Sequence, residues 1–410
     1  MAIDDPIIAR QGADALRHEL DLGRVWARDW LFTAALPLWF DRGADHGRGG
    51  WFDKLDRHAG PVDVPKRLRV QARQAFVFAE AGRLGWDGPW REAVVHGLGF
   101  MLGKFKRPDG LFRASVTRDG VPVVDAPDLY DQAFALFAMA AGYVALNRPA
   151  ALLAEAETLL ERLERELGHP RNGFEEARPR TLPLRSNPHM HLLEALLAWV
   201  EAGGGPGFER RADAIIDLCR DHLIDHNTGS IGEFYDGDWR FNDETGHLRE
   251  PGHQFEWAFL LHRAGALLGR DHAPQSNGLH RFGTAHGIRD GLAVSAVAAD
   301  GALVDGSARL WAQTERLRAM VVLAPALPPI DAAAAMAAAV ESLAVVRRFL
   351  DVPVRGLWRD RMDANGFWLD EPVPASSLYH IVTGLVPLLE MRDGGARPAG
   401  DAPAALERSA

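Results

Sequence analysis

Histidines and carboxylates recur together at the fronts of strongly apolar segments of this chain. Glu250-Pro251-Gly252-His253-Gln254-Phe255-Glu256-Trp257 leads into Ala258-Phe259-Leu260-Leu261. On a helix, His253 and Glu256 are three apart and share a face. A carboxylate beside an imidazole raises its basicity and can orient it. A second segment, Asn187-Pro188-His189-Met190-His191-Leu192-Leu193-Glu194, places Asn187, His191 and Glu194 on one helical face by spacings of four and three. A third, Pro374-Ala375-Ser376-Ser377-Leu378-Tyr379-His380, ends on another histidine. Imidazoles, with an ordinary pKa of about 6.5, can take and return protons near neutrality. A metal grip is poorly served: His189 and His191 point to different sides, and no third ligand completes a set with His253 and Glu256. No metal is expected.

Further polar residues interrupt apolar runs in the same way. Gln71-Ala72-Arg73-Gln74 precedes Ala75-Phe76-Val77-Phe78. An arginine entering such a run must either be paired structurally or face a cavity. Asp128-Leu129-Tyr130-Asp131-Gln132 opens another segment, with Asp128 placed as an N-cap and Tyr130 and Asp131 either supporting a site or touching a ligand. Trp311-Ala312-Gln313-Thr314-Glu315 offers an aromatic that suits either core packing or stacking on the apolar face of a sugar.

The elements that must position these residues are helices. Apolar periodicity predicts twelve, over about 13–38, 66–85, 89–104, 128–146, 149–167, 186–203, 206–226, 250–269, 273–289, 307–323, 330–350 and 374–391. Pro188, Pro251 and Pro374 fit first helical turns, and Ser307 fits an N-cap. The connections alternate long and short. The long ones carry turn signals such as Asp109-Gly110, Asn172-Gly173, Asp290-Gly291 and Asn365-Gly366. The chain therefore reads as a degenerate repeat of roughly 60 residues: helix, short turn, helix, long loop with a turn or small hairpin. An open solenoid needs polar terminal caps, and the terminal helices here are not conspicuously polar. The expected fold is all-α, a closed (α/α)6 barrel with the long loops at one end. Residues 1–392 form one catalytic domain in this reading and the Gly/Ala/Pro-rich 393–410 a disordered tail. Closure would gather the polar fronts of the even-numbered helices into a single pit.

Composition narrows the rest. Of 410 residues 47% are hydrophobic, ample for a large core, and the formal net charge is −10. With no basic run interleaved with aromatics, nucleic acid is not an expected partner. The only cysteine, Cys219, lies in an apolar stretch and excludes an internal disulfide. The N-terminus lacks the form of a signal peptide, and no run of ~18 uncharged apolar residues appears. A cytoplasmic protein that meets no membrane, as monomer or homodimer, is the expectation.

At Gln71-Ala72-Arg73, Asn187 to His191, Glu250 to Trp257 and Pro374 to His380, the sequence resembles the N-acylglucosamine 2-epimerase superfamily. The Pro-Gly-His-x-x-Glu-Trp stretch is the most specific of these, and the ending Pro-Ala-Ser-Ser-Leu-Tyr-His is most similar to the mannose isomerase branch. The resemblance implies an (α/α)6 barrel acting on a monosaccharide without redox cofactor or obligatory metal. It implies catalytic roles for His253 and His380. It implies sugar contacts from Arg73, Asn187, His191 and Glu256, with Trp311, Glu315 and Tyr130 added as candidates. His189 and Pro188 fall outside the family pattern. The expected reaction is interconversion of D-mannose and D-fructose through an enediol, with 2-epimerisation as the alternative. An inverting glycosidase pairing Glu256 with Asp131 or Glu315, or a non-catalytic sugar-binding protein, are the more distant ones.

Overall fold

The computed structural model describes residues 6–391; the expected tail over 393–410 lies outside them. The twelve helices are α1 (Pro6–Trp30, continued in wider turns to Gly43), α2 (Leu68–Arg83), α3 (Trp90–Phe100), α4 (Leu129–Ala145), α5 (Ala150–Leu167), α6 (Ser186–Glu201), α7 (Pro206–Leu218), α8 (Pro251–Leu268), α9 (Ala273–His286), α10 (Leu310–Leu323), α11 (Pro329–Leu350) and α12 (Ser377–Leu389). The even-numbered helices form an inner ring in which each packs on the next, and α12 returns to α2. The odd-numbered helices cover it from outside, α1 bridging α11 and α12. This is the (α/α)6 barrel. Burial agrees with the two layers: α4 is buried nearly all round, whereas α5 buries only the Leu152, Ala156, Leu159, Leu160, Leu163, Leu167 stripe of an amphipathic helix. α11 is long and apolar enough to span a membrane by composition, but it packs in the outer ring against α10 and α1.

The six long loops close a second ring above the first. The residues just before each inner helix pair antiparallel with the following loop: Lys66–Arg67 with Ser115–Val116, Asp128 with Ala177, Leu184–Arg185 with Phe234–Tyr235. The series continues with Leu248–Arg249 on Val297–Ala298 and Ala308–Arg309 on Arg361–Met362, and Pro374 of the last loop pairs with Lys54 of the first. At four of the inner helices the pairing lets a loop carbonyl accept an orphan N–H from the helix start. Leu68 donates to Ala114, Leu129 to Glu176, Ser186 to Glu233 and Leu310 to Asp360. At α8 that position is Pro251, which has no N–H to satisfy.

This collar shifts several expected boundaries. Ser307 does not cap α10. It lies in strand β2 (Leu303–Arg309), which pairs with β1 (Leu292–Ala298), and its hydroxyl is 2.8 Å from that of Ser295. Pro374 likewise sits in the collar pairing, so α12 starts at Ser377. The fifth loop is accordingly a full hairpin of two seven-residue strands, and α9 ends at His286, short of the expected 289. Asp128 is an N-cap, its carboxylate accepting from Asp131 N at 2.7 Å.

A glutamine one turn into four inner helices anchors each loop. Gln71, Gln132, Gln254 and Gln313 each accept from and donate to the backbone of one loop residue, respectively Trp51, Phe112, Ile231 and Ala293, at 2.7–3.0 Å. In α6 the equivalent residue is His189, whose Nε2 accepts from Phe174 N at 3.0 Å. Part of the polar character at the inner-helix fronts is therefore loop anchoring and not a cavity lining. His189, outside the family pattern, is explained in the same way.

Candidate active site

The mouth leads into a cavity of about 870 Å³. Arg73, Tyr130, Asn187, His191, His253, Glu256, Trp311 and His380 all line it, drawn from all six inner helices. Glu315 does not reach it. That carboxylate lies behind His380, fully buried, with Oε1 2.8 Å from His380 Nδ1.

His253 is held from the opposite direction by a residue the sequence reading passed over. Glu233 Oε2 is 2.7 Å from His253 Nδ1, and Oε1 accepts from Glu250 N at 3.0 Å. A repeat signal marks it. Asp53, Glu176 and Glu233 each stand two residues after the loop residue anchored by Gln71, His189 or Gln254. Asp53 and Glu176 turn their carboxylates onto Arg67 and Arg185 at the next helix start. At α8 the same device clasps a histidine.

The two imidazoles therefore differ in charge. Burial alone would depress His253, but the carboxylates of Glu233, which also accepts its hydrogen bond, and Glu250 outweigh it and push its pKa up to about 10. Burial depresses His380 well below the usual histidine range, with Arg73 and His191 adding to the effect. Near neutrality one histidine is an imidazolium and the other a neutral base. Both spend Nδ1 on a carboxylate, which leaves Nε2 for a ligand. The Trp311 ring lies 4.9 Å from the His253 ring and 5.8 Å from that of His380. It fits there because residue 252 is glycine: a Cβ at that position would stand 2.4 Å from the indole.

Arg73 donates to Tyr130 Oη at 2.7 Å and to Ser376 O at 3.3 Å, and its guanidinium covers the Phe134 ring at 4.2 Å. Its Nε, Asn187 Oδ1 and both carboxyl oxygens of Glu256 are buried without a hydrogen-bond partner. Unsatisfied buried polar groups are costly, so four such atoms on cavity residues are available to a polar ligand. Burial, then the neighbouring carboxylates of Glu315 and Glu194, raises Glu256 well above the ordinary range, making it a neutral acid able to donate. Burial likewise takes His191 down to about 4 against the pull of Glu194.

Three groups could in principle gather a cation: His191 with Glu194 and Glu256, Glu233 with Glu250 and His253, and Glu256 with Glu315 and His380. In each, histidine and carboxylate already satisfy or neutralise one another, and Arg318 bonds Glu194 and Glu315. The glycosidase reading also loses its carboxylate pair. Asp131 is bidentate to Arg69 and Glu315 stands behind His380, so neither lines the cavity opposite Glu256 as a carboxylate pair across a scissile bond would require.

A sequence profile of N-acylglucosamine 2-epimerases matches residues 50–384. The chain belongs to the N-acylglucosamine 2-epimerase family. A mannose-6-phosphate isomerase of Rhizobium meliloti is 41% identical over 370 residues, covering 88% of this chain and 95% of that protein. A D-mannose isomerase of Thermobifida fusca is 32% identical over 60% of this chain and 64% of its own length. In fold, a D-mannose isomerase crystal structure superposes with TM-score 0.81 at 20% identity, covering 90% of this chain and 98% of the other. The cellobiose 2-epimerase of Spirochaeta thermophila gives 0.79 at 22%, covering 91% and 97%. This family member is thus an enzyme of the sugar isomerase and epimerase group, built on their barrel.

Proposed function

We propose that the protein interconverts D-mannose and D-fructose through an enediol, with His380 and His253 as its acid–base pair. The observation that carries the reading is that both imidazoles line one cavity, 4.9 and 5.8 Å from the Trp311 ring, each with Nδ1 held by a buried carboxylate. Neutral His380 takes the C2 proton on Nε2, leaving an enediolate. Cationic His253 protonates the ring oxygen and takes the O1 proton back as the ring opens; it then gives that proton to O1 of the enediolate and recovers the O2 proton as C1 is protonated. Arg73, the neutral acid Glu256 and Asn187 hold hydroxyls and stabilise developing negative charge. Return of the proton from His380 to C1 gives the ketose. Return to C2 from the opposite face gives the epimer, so 2-epimerisation is the alternative outcome of the same first step. The single thiol, Cys219, buried and with its pKa pushed up by that burial, is consistent with work in the reducing cytoplasm.

Incubation with mannose in deuterated water tests this. Fructose carrying deuterium at C1 is the expected product. Glucose labelled at C2 without fructose would establish the epimerase instead, and no exchange in any aldose would end the reading.

One observation favours a phosphorylated form of the same substrate. Lys54 and Arg309 line the outer cavity with no ion-pair partner among the described residues. A relative at 41% identity bears the name mannose-6-phosphate isomerase. Lys54 and Arg309, which interact at a distance with Glu371 but pair with no carboxylate among the described residues, suit an anion at the far end of a sugar whose C1 and C2 lie at the histidines.

A further inference from the structure

Behind the cavity floor three carboxyl groups from three inner helices converge: Glu194 of α6, Glu256 of α8 and Glu315 of α10. One buried guanidinium bonds two of them, Glu194 and Glu315. Arg318 Nη2 is 3.3 Å from Glu194 Oε1 and Nη1 is 3.3 Å from Glu315 Oε2, while its plane stacks on Phe259 at 3.7 Å. Arg318 touches no part of the cavity lining's reacting histidines and is absent from the cavity wall. The two carboxylates it bridges are not equivalent. Glu194 also accepts a hydrogen bond from the Tyr379 hydroxyl and faces His191 at 3.4 Å, so it has several donors. Glu315 has Arg318 and His380 alone.

The chemistry at His380 depends on which way its bond to Glu315 runs. A carboxylate accepts the proton of Nδ1, which leaves the Nε2 lone pair free to accept a proton from substrate. A protonated Glu315 would donate to Nδ1 instead, and the neutral ring would then carry its hydrogen on Nε2 and be unable to act as base. We propose that Arg318 is a positioning residue: by bridging Glu194 and Glu315 it keeps Glu315 an acceptor and so fixes the His380 tautomer that can take the C2 proton. This inference rests on the proton-transfer reading above. The surrounding charge makes the bridge necessary. Glu315 is faced by Glu194 and His191 from α6, Glu256 from α8, and Tyr379 and His380 from α12, with Arg73 of α2 near His380. Burial raises its pKa to about 7 even with Arg318 in place, so loss of that cation would favour the protonated, wrongly directed form.

The test uses the full-length enzyme with Arg318→Met and Arg318→Lys. In Arg318→Met, kcat on mannose should fall by ~10²-fold with KM within about twofold, and the acid limb of kcat/KM should move to higher pH. Arg318→Lys keeps the charge and should lie between wild type and Arg318→Met in both respects. If Arg318 acts through Glu315, adding Arg318→Met to Glu315→Gln should cost little further, since the two changes are coupled. Nitrogen-15 imidazole shifts, assigned with His380→Asn, read the tautomer without turnover: hydrogen on Nδ1 in wild type and on Nε2 in Arg318→Met at pH 8, above the wild-type Glu315 pKa of about 7. Should Arg318→Met not fold, Arg318→Lys carries the same limb and tautomer readouts. A lower kcat with an unmoved acid limb and unchanged tautomer would overturn the inference. Wild type that exchanges no sugar proton would instead overturn the isomerase reading, and the tautomer measurement would still decide the role of Arg318.

Discussion

His253 Nδ1 lies 2.7 Å from Glu233 Oε2, a carboxylate delivered by the fourth long loop from twenty residues earlier in the chain. That contact holds the imidazole charged. Glu233→Gln should bring the His253 pKa down from about 10 toward 6.5 and lower kcat by ~10- to 10²-fold. With His253 in the proposed acid role, the basic limb of the pH–rate profile should move to lower pH in the variant. The sign for stability follows from the raised pKa. The pair stabilises the fold fully below about 6.5, and that contribution is lost as pH rises through about 10. Denaturant midpoints should therefore fall from pH 7 to 10 more steeply in wild type than in Glu233→Gln.

His380→Asn removes the base assigned to C2. Proton exchange with deuterated solvent should drop by ~10³-fold or more while the barrel stays folded by circular dichroism. Near-normal exchange at C2 in this variant would show that the two histidines have their roles reversed.

Gln132 predicts a different phenotype. Its amide satisfies both backbone groups of Phe112, buried at 2.8 Å each. Gln132→Leu leaves them unpaired and should destabilise the protein by about 2–4 kcal/mol in urea titration. It touches no reacting group, so kcat/KM of the folded protein at low temperature should stay within a few-fold of wild type. A large kcat loss at unchanged stability would contradict the anchoring role.

Lys54→Ala combined with Arg309→Ala separates free from phosphorylated substrate. KM for mannose 6-phosphate should rise ~10-fold or more, with a weaker dependence on salt, while KM for mannose changes little. If wild type turns over mannose and ignores its 6-phosphate, the phosphorylated substrate is excluded.

Much of this protein is legible from residue order. Helical periodicity and the alternation of long and short connections specify twelve helices and a sixfold repeat, because both are local consequences of chain geometry. Closure of the ring follows from terminal helices that need burial as much as the others. The sequence also marks Arg73, Asn187, His253 and His380 as polar residues at apolar helix fronts. It does not separate those facing the cavity from those anchoring loops, as Gln71 and His189 show, since both kinds sit one turn into an inner helix. Only the tertiary structure decides that Glu233 grips His253, that Glu315 stands behind His380, and that one buried arginine bridges Glu194 and Glu315. The physical reason is that protonation depends on burial and on neighbours from other helices, brought together only when α12 closes on α2 and the last loop pairs with the first.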